Sequence, residues 1–304
     1  MSGLLTRRSG GPRRLRELLE QPSAILAPGA YDPLSARLVE EAGFAAVYMT
    51  GFGTSAALIG RPDVGLLTMT EMADNAGRIV QAVDIPLIAD ADTGYGNPIN
   101  VIRTVQSYEV AGVAGIHIED QVSPKKCGHI EGKEVIPEEE MYEKVRVATA
   151  AKENPEFVII ARTDARAVEG LEGAIERGKL YREAGADVIF VEAVQSEEEA
   201  AFVADAFPNV PLLFNWAEGG KTPPIELVRL EKLGYRVIIF PLRTLLAATR
   251  GMRLVLAQLR ERGTPAGALE QLPPLGEFLN FIGLPEVRKL EQQFGGANTK
   301  PGER

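Results

Sequence analysis

The sequence predicts a closed α/β barrel in which eight parallel strands alternate with helices, and three observations predict it. Eight short apolar runs rich in Val, Ile and Leu recur along the 304 residues, as strands buried on both faces require. Each run is followed by a segment with apolar residues at helical spacing. Several runs also end in charged or amide residues, which such a barrel gathers at one rim. An open doubly wound sheet suits eight such units less well.

The elements follow in order. A basic lead and a helical pattern end near Leu19, and AILAPGAYD is then a first strand that stops at Pro28 and Gly29. PLSARLVEEAG carries Leu34, Leu38 and Val39 at helical spacing and halts at Gly43. AAVYMT is the second strand, GFGTSAALIGRPDVG reads as a Gly-rich connection, and TMTEMADNAGRIVQAV opens like a capped helix. IPLIADAD is the third strand and NPINVIRTVQSYEVAG its helix. VAGIHIED follows as the fourth, with PEEEMYEKVRVATAAKE as a helix whose acidic first turn complements its dipole. FVIIARTD and LEGAIERGKLYREAG, then DVIFVEA and SEEEAAFVADAF, form the fifth and sixth units. VPLLFNW and YRVIIFP are the last strands, separated by PPIELVRLEKLG, and RTLLAATRGMRLVLAQLRERG closes the ring. TPAGALEQLPPLGEFLN reads as a Pro-rich connection and PEVRKLEQQF as an amphipathic helix with a stripe to bury against a neighbouring subunit. No linker divides the chain, so one domain is expected, with its barrel at about 22–262, a helical extension at about 263–294 and a disordered tail at about 295–304.

Composition narrows the function. With 45% hydrophobic and 25% charged residues the chain is an ordinary globular protein. A net charge of -9 argues against a nucleic-acid partner, which needs clustered Lys and Arg. A single cysteine excludes an internal disulfide. The N-terminus lacks the apolar core of a signal peptide and no run reaches membrane-spanning length, so a cytoplasmic protein with no membrane partner is expected, an organelle transit peptide being the alternative.

The strand ends carry the chemistry. Asp90 and Asp92 close the third strand, His117 and Glu119 the fourth, Arg162 and Asp164 the fifth, Glu192 the sixth and Asn215 the seventh. Any one acid here reads equally well as a helix cap or solvated turn, but five strand ends in one register read as a catalytic rim. Asp90, Asp92 and Glu119 offer only oxygen, which suits a hard cation such as Mg2+, with Mn2+ as its substitute. A zinc site from His117, Cys127 and His129 lacks a fourth soft ligand and the usual spacing. Arg162 can fork onto a substrate carboxylate, and Lys125 or Lys126 can add charge from the loop, so an anionic small molecule is expected. Cys127 stands between Lys126 and Gly128-His129, neighbours that favour its thiolate; the bland alternative is a buried small hydrophobe. Gly51, Gly53 and Ala56 match a dinucleotide fingerprint, but no clean second strand precedes Glu71, and a turn presenting its amides to a carboxylate explains the glycines as well.

DADTGYGN, GIHIEDQ, KKCGH, ARTDA, FVEA and NWAEGGKTP together resemble the isocitrate lyase and phosphoenolpyruvate mutase superfamily, in its methylisocitrate lyase and dimethylmalate lyase branch, from Ala27 to about Arg253. The resemblance implies a Mg2+-dependent barrel, often a homotetramer that exchanges its C-terminal helices, cleaving a carbon–carbon bond in a 2-hydroxy di- or tricarboxylate. Carried onto this chain, it makes Asp90 and Asp92 metal-site acids with Asp63 and Glu119 around them, and Thr50, Gly51 and Gly53 the turn for the keto-acid part. It also makes Lys125, Cys127, Gly128 and His129 a gating loop with Cys127 as proton donor. His117, Arg162, Glu192 and Asn215 become substrate-binding positions. Thr50, Phe52 and Trp216 depart from the plainest family pattern around the pocket. Oxaloacetate hydrolase and carboxyphosphonoenolpyruvate phosphonomutase are the neighbouring activities on this fold.

Overall fold

The computed structural model describes residues 5, 10–126, 132–217, 219–220, 222, 224–265 and 272–295. It contains eight strands, β1 (Ile25–Ala30), β2 (Val47–Met49), β3 (Leu87–Asp90), β4 (Gly115–Glu119), β5 (Val158–Thr163), β6 (Val188–Val191), β7 (Leu212–Asn215) and β8 (Tyr235–Phe240). All pair in parallel and in chain order, and β8 returns to β1, so the barrel is closed as expected. The helices are α1 (Gly11–Leu19), α2 (Pro33–Glu41), α3 (Gly51–Ile59), α4 (Met69–Ala82), α5 (Pro98–Val110), α6 (Glu138–Ala150), α7 (Gly170–Glu183), α8 (Glu197–Ala206), α9 (Leu227–Leu233), α10 (Arg243–Arg262), α11 (Leu275–Phe281) and α12 (Leu284–Phe294). A 3-10 turn spans Ala165–Ala167.

The chain divides into two compact units, Arg8–Leu246 and a second formed by Met1–Arg7 with Ala247–Arg304. In the first, strand periodicity separates two cores. Residues facing the barrel axis, among them Tyr48, Ile88, Ile160, Phe190, Leu213 and Ile239, form an inner cluster. Their alternates, such as Ile116, Ile118 and Ile159, pack outward against the helices. Leu15 of α1 joins the inner cluster, and Arg16 binds the Phe157 carbonyl at 3.1 Å and Asp187 at 3.0 Å, just before β5 and β6. Helix α1 therefore closes the N-terminal end of the barrel, leaving the carboxyl end for the site.

Two segments differ from the sequence reading. The Gly-rich stretch after β2 contains α3, because Thr50 caps its first turn by accepting from the Gly53 amide at 3.2 Å and so outweighs the poor propensity of two glycines. The Pro-rich connection contains α11, starting after Pro274. In the second unit Phe278 and Phe281 of α11 stack with centroids 6.3 Å apart, and neither α11 nor α12 has a buried side chain.

Candidate active site

The chain leaves β3 through DADTGYGN, a loop that only particular residues permit. Asp92 has a left-handed φ of 46°, as do Tyr95 at 59° and Gly94 at 83°, a region that non-glycine residues rarely enter. The loop is held from several sides. The Tyr108 hydroxyl donates to the Asp90 carbonyl at 2.9 Å, Thr104 to the Gly94 carbonyl at 3.0 Å and Lys144 to the Thr93 carbonyl at 3.1 Å. Asp90 in turn accepts from the Asp92 amide at 2.9 Å and from the Gly51 amide at 3.2 Å. A Cβ on Gly51 would strike Asp90 Oδ2, and one on Gly53 would lie 2.6 Å from Thr50 Cγ2. Gly51 therefore serves close packing of α3 against the acid and Gly53 close packing against Thr50 and Tyr31, and the amides of both are engaged within the chain.

Register then gathers the remaining groups. Asp90 pairs with His117, Glu119 with Arg162, and Arg162 with Phe190, so their side chains form adjacent rows inside the carboxyl end. His117 is fully buried. Its Nε2 lies 2.8 Å from the Tyr48 hydroxyl and 3.6 Å from Asp90 Oδ1. Its ring stacks on Tyr48 and meets Phe190 edge-on. Burial lowers its pKa to about 4, leaving it neutral near pH 7. It stands beside Asp90 on the neighbouring strand, its ring held by Tyr48.

Lys125 inserts its ammonium between Asp63 at 2.6 Å and Asp92 at 2.8 Å. Burial alone would lower its pKa, but Asp92, Asp90, Glu119 and Asp63 outweigh that and hold it cationic. Arg162 donates from Nε and Nη2 to Asp164 at 2.8 and 3.2 Å, lies 3.2 Å from Glu119 and sits over the Phe190 ring at 5.1 Å. The fork expected to grip a substrate carboxylate is thus closed on Asp164, because two adjacent strand-end residues meet with bidentate geometry. Asp164 is gripped a second time by Lys133 at 2.7 Å. Asn215 donates to Glu192 at 3.1 Å, and its own amide oxygen has no partner among the described residues.

Among the described residues no three His, Cys, Asp or Glu groups meet as a metal cage. The four acids assigned to a metal are brought to one rim but engaged differently: Asp63 turns to Lys125, and Glu119 to Arg162 and to the Gln121 amide at 3.0 Å. Asp90 and Asp92 are the pair that fits a hard cation, Asp92 being shared with the Lys125 ammonium at 2.8 Å. They supply oxygen only, and Asp92 is pushed up to about 6 because its burial, beside Asp90 and Asp63, is not fully offset by Lys125. A site short of positive charge is one that a divalent ion completes. Cys127, Gly128 and His129 lie outside the described residues.

Four contributors had no role assigned in the sequence reading, although Asp120 and Gln121 stand in its GIHIEDQ run. Tyr48 shares strand parity with Thr50 and was legible only through that. Asp120 faces outward, accepting from Thr163 at 2.7 Å, Tyr181 at 2.8 Å and the Asp164 amide at 2.8 Å. It thereby fixes the backbone that carries Asp164. Lys133 and Gln121 gave no signal, since their partners are set by the loop's path.

A family model described as phosphoenolpyruvate phosphomutase matches residues 15–260. The chain is 47% identical over 281 residues to the 2,3-dimethylmalate lyase of Eubacterium barkeri, covering 92% of this chain and 97% of that protein. A crystal structure of 2,3-dimethylmalate lyase superposes with a TM-score of 0.90 at 40% identity, covering 98% of this chain and 100% of the other. Oxaloacetate acetylhydrolase bound to 3,3-difluorooxalacetate superposes at 0.89 with 41% identity, covering 95% and 99%. With a barrel, a rim of strand-end acids and matches over nearly its whole length, the chain belongs to the phosphoenolpyruvate mutase/isocitrate lyase superfamily of enzymes.

Proposed function

We propose that the protein is a carbon–carbon lyase acting on a 2-hydroxy di- or tricarboxylate of the 2,3-dimethylmalate or 2-methylisocitrate kind, releasing pyruvate and a second carboxylate. The observation that carries this reading is the pair of buried cations, Lys125 and Arg162, held among the strand-end carboxylates of an acid-rich rim. Mg2+, or Mn2+ in its place, would be held by Asp90 and Asp92, with Asp63 and Glu119 outside them, and when bound it supplies Lewis-acid stabilisation of oxyanions.

The chain's own residues do the rest. Loss of the substrate hydroxyl proton to a base lets the carbon–carbon bond break, its electron pair passing to the carbon next to the departing carboxylate while the hydroxyl carbon becomes a ketone. Lys125 and Arg162, fixed before substrate arrives, offset the negative charge that develops on the enediolate. Cys127 returns one proton to that carbon, which completes the second product and leaves a thiolate. His129 and Lys126, its neighbours in sequence, would favour that thiolate by charge, and Lys125 adds cationic charge to the rim. Thr50, Gly51 and Gly53 border the keto-acid end, Gly128 is a further substrate-binding position, and Glu192 and Asn215 meet the far carboxylate. His117 acts beside Asp90.

Pyruvate release from 2,3-dimethylmalate and 2-methylisocitrate, followed with and without Mg2+, tests this reading. Turnover of either that stops with EDTA and falls at least about 1,000-fold in Cys127→Ser is expected. Pyruvate from neither substrate overturns it. Likeness to oxaloacetate acetylhydrolase makes oxaloacetate hydrolysis the second reading, read out in the same assay as oxalate and acetate; phosphonomutase chemistry is read as a phosphonate by phosphorus NMR. We further infer a cytoplasmic homotetramer. No helix among the described residues is long and apolar enough to cross a membrane. The exposed Leu254, Leu256 and Leu259 of α10 and Phe294 of α12 are side chains a neighbouring subunit would cover. Light scattering at the monomer mass would refute the tetramer.

A further inference from the structure

Gln121 stands two residues beyond Glu119, is 1% exposed, and uses every polar atom of its side chain. Its Nε2 donates to Glu119 Oε1 at 3.0 Å and to the Lys126 carbonyl at 2.8 Å, while its Oε1 accepts from the Lys126 amide at 3.0 Å. The side-chain amide thus holds the Lys126 peptide as a neighbouring strand would. The backbone at Gln121 is also the root of the excursion that follows β4. Gln121 bridges Val135 in antiparallel fashion, Val122 donates to the Glu134 carbonyl at 2.9 Å, and Ile136 donates to the Asp120 carbonyl at 2.9 Å. On one side of the held peptide Lys125 reaches Asp63 and Asp92. On the other side the next residue is Cys127.

We propose that Gln121 is a positioning residue for the lyase reaction, its amide tying the Glu119–Arg162 pair to the Lys126 backbone and so setting where Lys125 enters the site. The inference rests on the lyase reading of the same rim. Only a glutamine amide meets the geometry. A glutamate in its place lacks both donors and sets a second carboxylate against Glu119, asparagine is one methylene short, and methionine fills the volume with no polar contact.

Gln121→Met and Gln121→Glu in the full chain test this. Two readouts are taken: kcat and KM for the hydroxy acid that the unsubstituted protein cleaves, and the rate of Cys127 alkylation by iodoacetamide, which is free of background because the chain has one cysteine. The expected result is kcat lower by about 10- to 100-fold with KM within about threefold, because the loss falls on a proton-transfer geometry and not on ground-state binding. Alkylation is expected to quicken by at least about threefold as the peptide before Cys127 is released, in variants that remain folded at the assay temperature. Either folded variant with kcat within about twofold of the unsubstituted protein and unaltered alkylation overturns the proposal. So does failure of both to fold, which assigns Gln121 to the architecture alone. If the unsubstituted protein cleaves neither hydroxy acid, the lyase reading fails on its own evidence while alkylation still reports whether Gln121 holds the segment.

Discussion

Asp164 shows how one buried carboxylate organises two cations. It is fully buried and accepts from Arg162 and Lys133. Burial alone would raise its pKa, but those two charges outweigh it and hold the carboxyl well below the usual range. A folded-state pKa below the unfolded value contributes stability above the unfolded value, about 3.9, and that contribution is lost as pH falls through the folded value. Asp164→Asn should therefore cost about 3–5 kcal/mol near neutrality, by removing the buried carboxylate that Arg162 and Lys133 share, and the deficit should shrink as pH falls below about 4. Urea unfolding of both proteins across that range measures it; a deficit that grows toward acid contradicts the assignment. Gly51→Ala is a second test at this scale. Its Cβ would meet Asp90 Oδ2, so about 1–3 kcal/mol of stability should be lost to overpacking, together with most activity. The residue types at Asp90, Asp92, Glu119 and Arg162 were legible because charge at the end of an apolar run has few bland explanations. Their partners were not, since Lys125 meets Asp63 across 62 positions of sequence.

At the scale of elements, caps and apolar periodicity dictated most helices. Asn97 accepts from the Ile99 and Asn100 amides at the start of α5, with Asn100 returning a bond to the Asn97 amide. Asn97→Ala should cost about 1 kcal/mol and, because α5 carries the Thr104 and Tyr108 contacts to the Asp90–Asp92 loop, should also weaken Mg2+ activation. Thermal unfolding and a Mg2+ titration of activity check the two effects. If stability falls while the metal dependence stays fixed, the helix does not steady the loop. Helix α3 shows where local reading fails. GFGTSAALI has two glycines in its first turn, which lowers intrinsic propensity, yet the Thr50 cap and the approach to Asp90 favour the helix. Neither contact can be read from the stretch itself.

At the scale of the molecule, the barrel separates stability from chemistry by its two ends. Leu15 plugs the N-terminal end and is fully buried. Leu15→Ala should cost about 2–5 kcal/mol in unfolding free energy, with kcat per folded molecule unchanged. An equal fall in kcat at a temperature where the protein is fully folded would refute that separation. The sequence by itself determined the class of fold, the number and order of strands and which residues stand at their carboxyl ends. These follow from apolar periodicity and chain direction, which are local properties. Tertiary structure alone decided that Arg162 closes on Asp164, that His117 lies beside Asp90 bound to Tyr48, and that Gln121 holds Lys126. Each depends on strand register and loop path, and those are fixed by the packing of segments far apart in the chain.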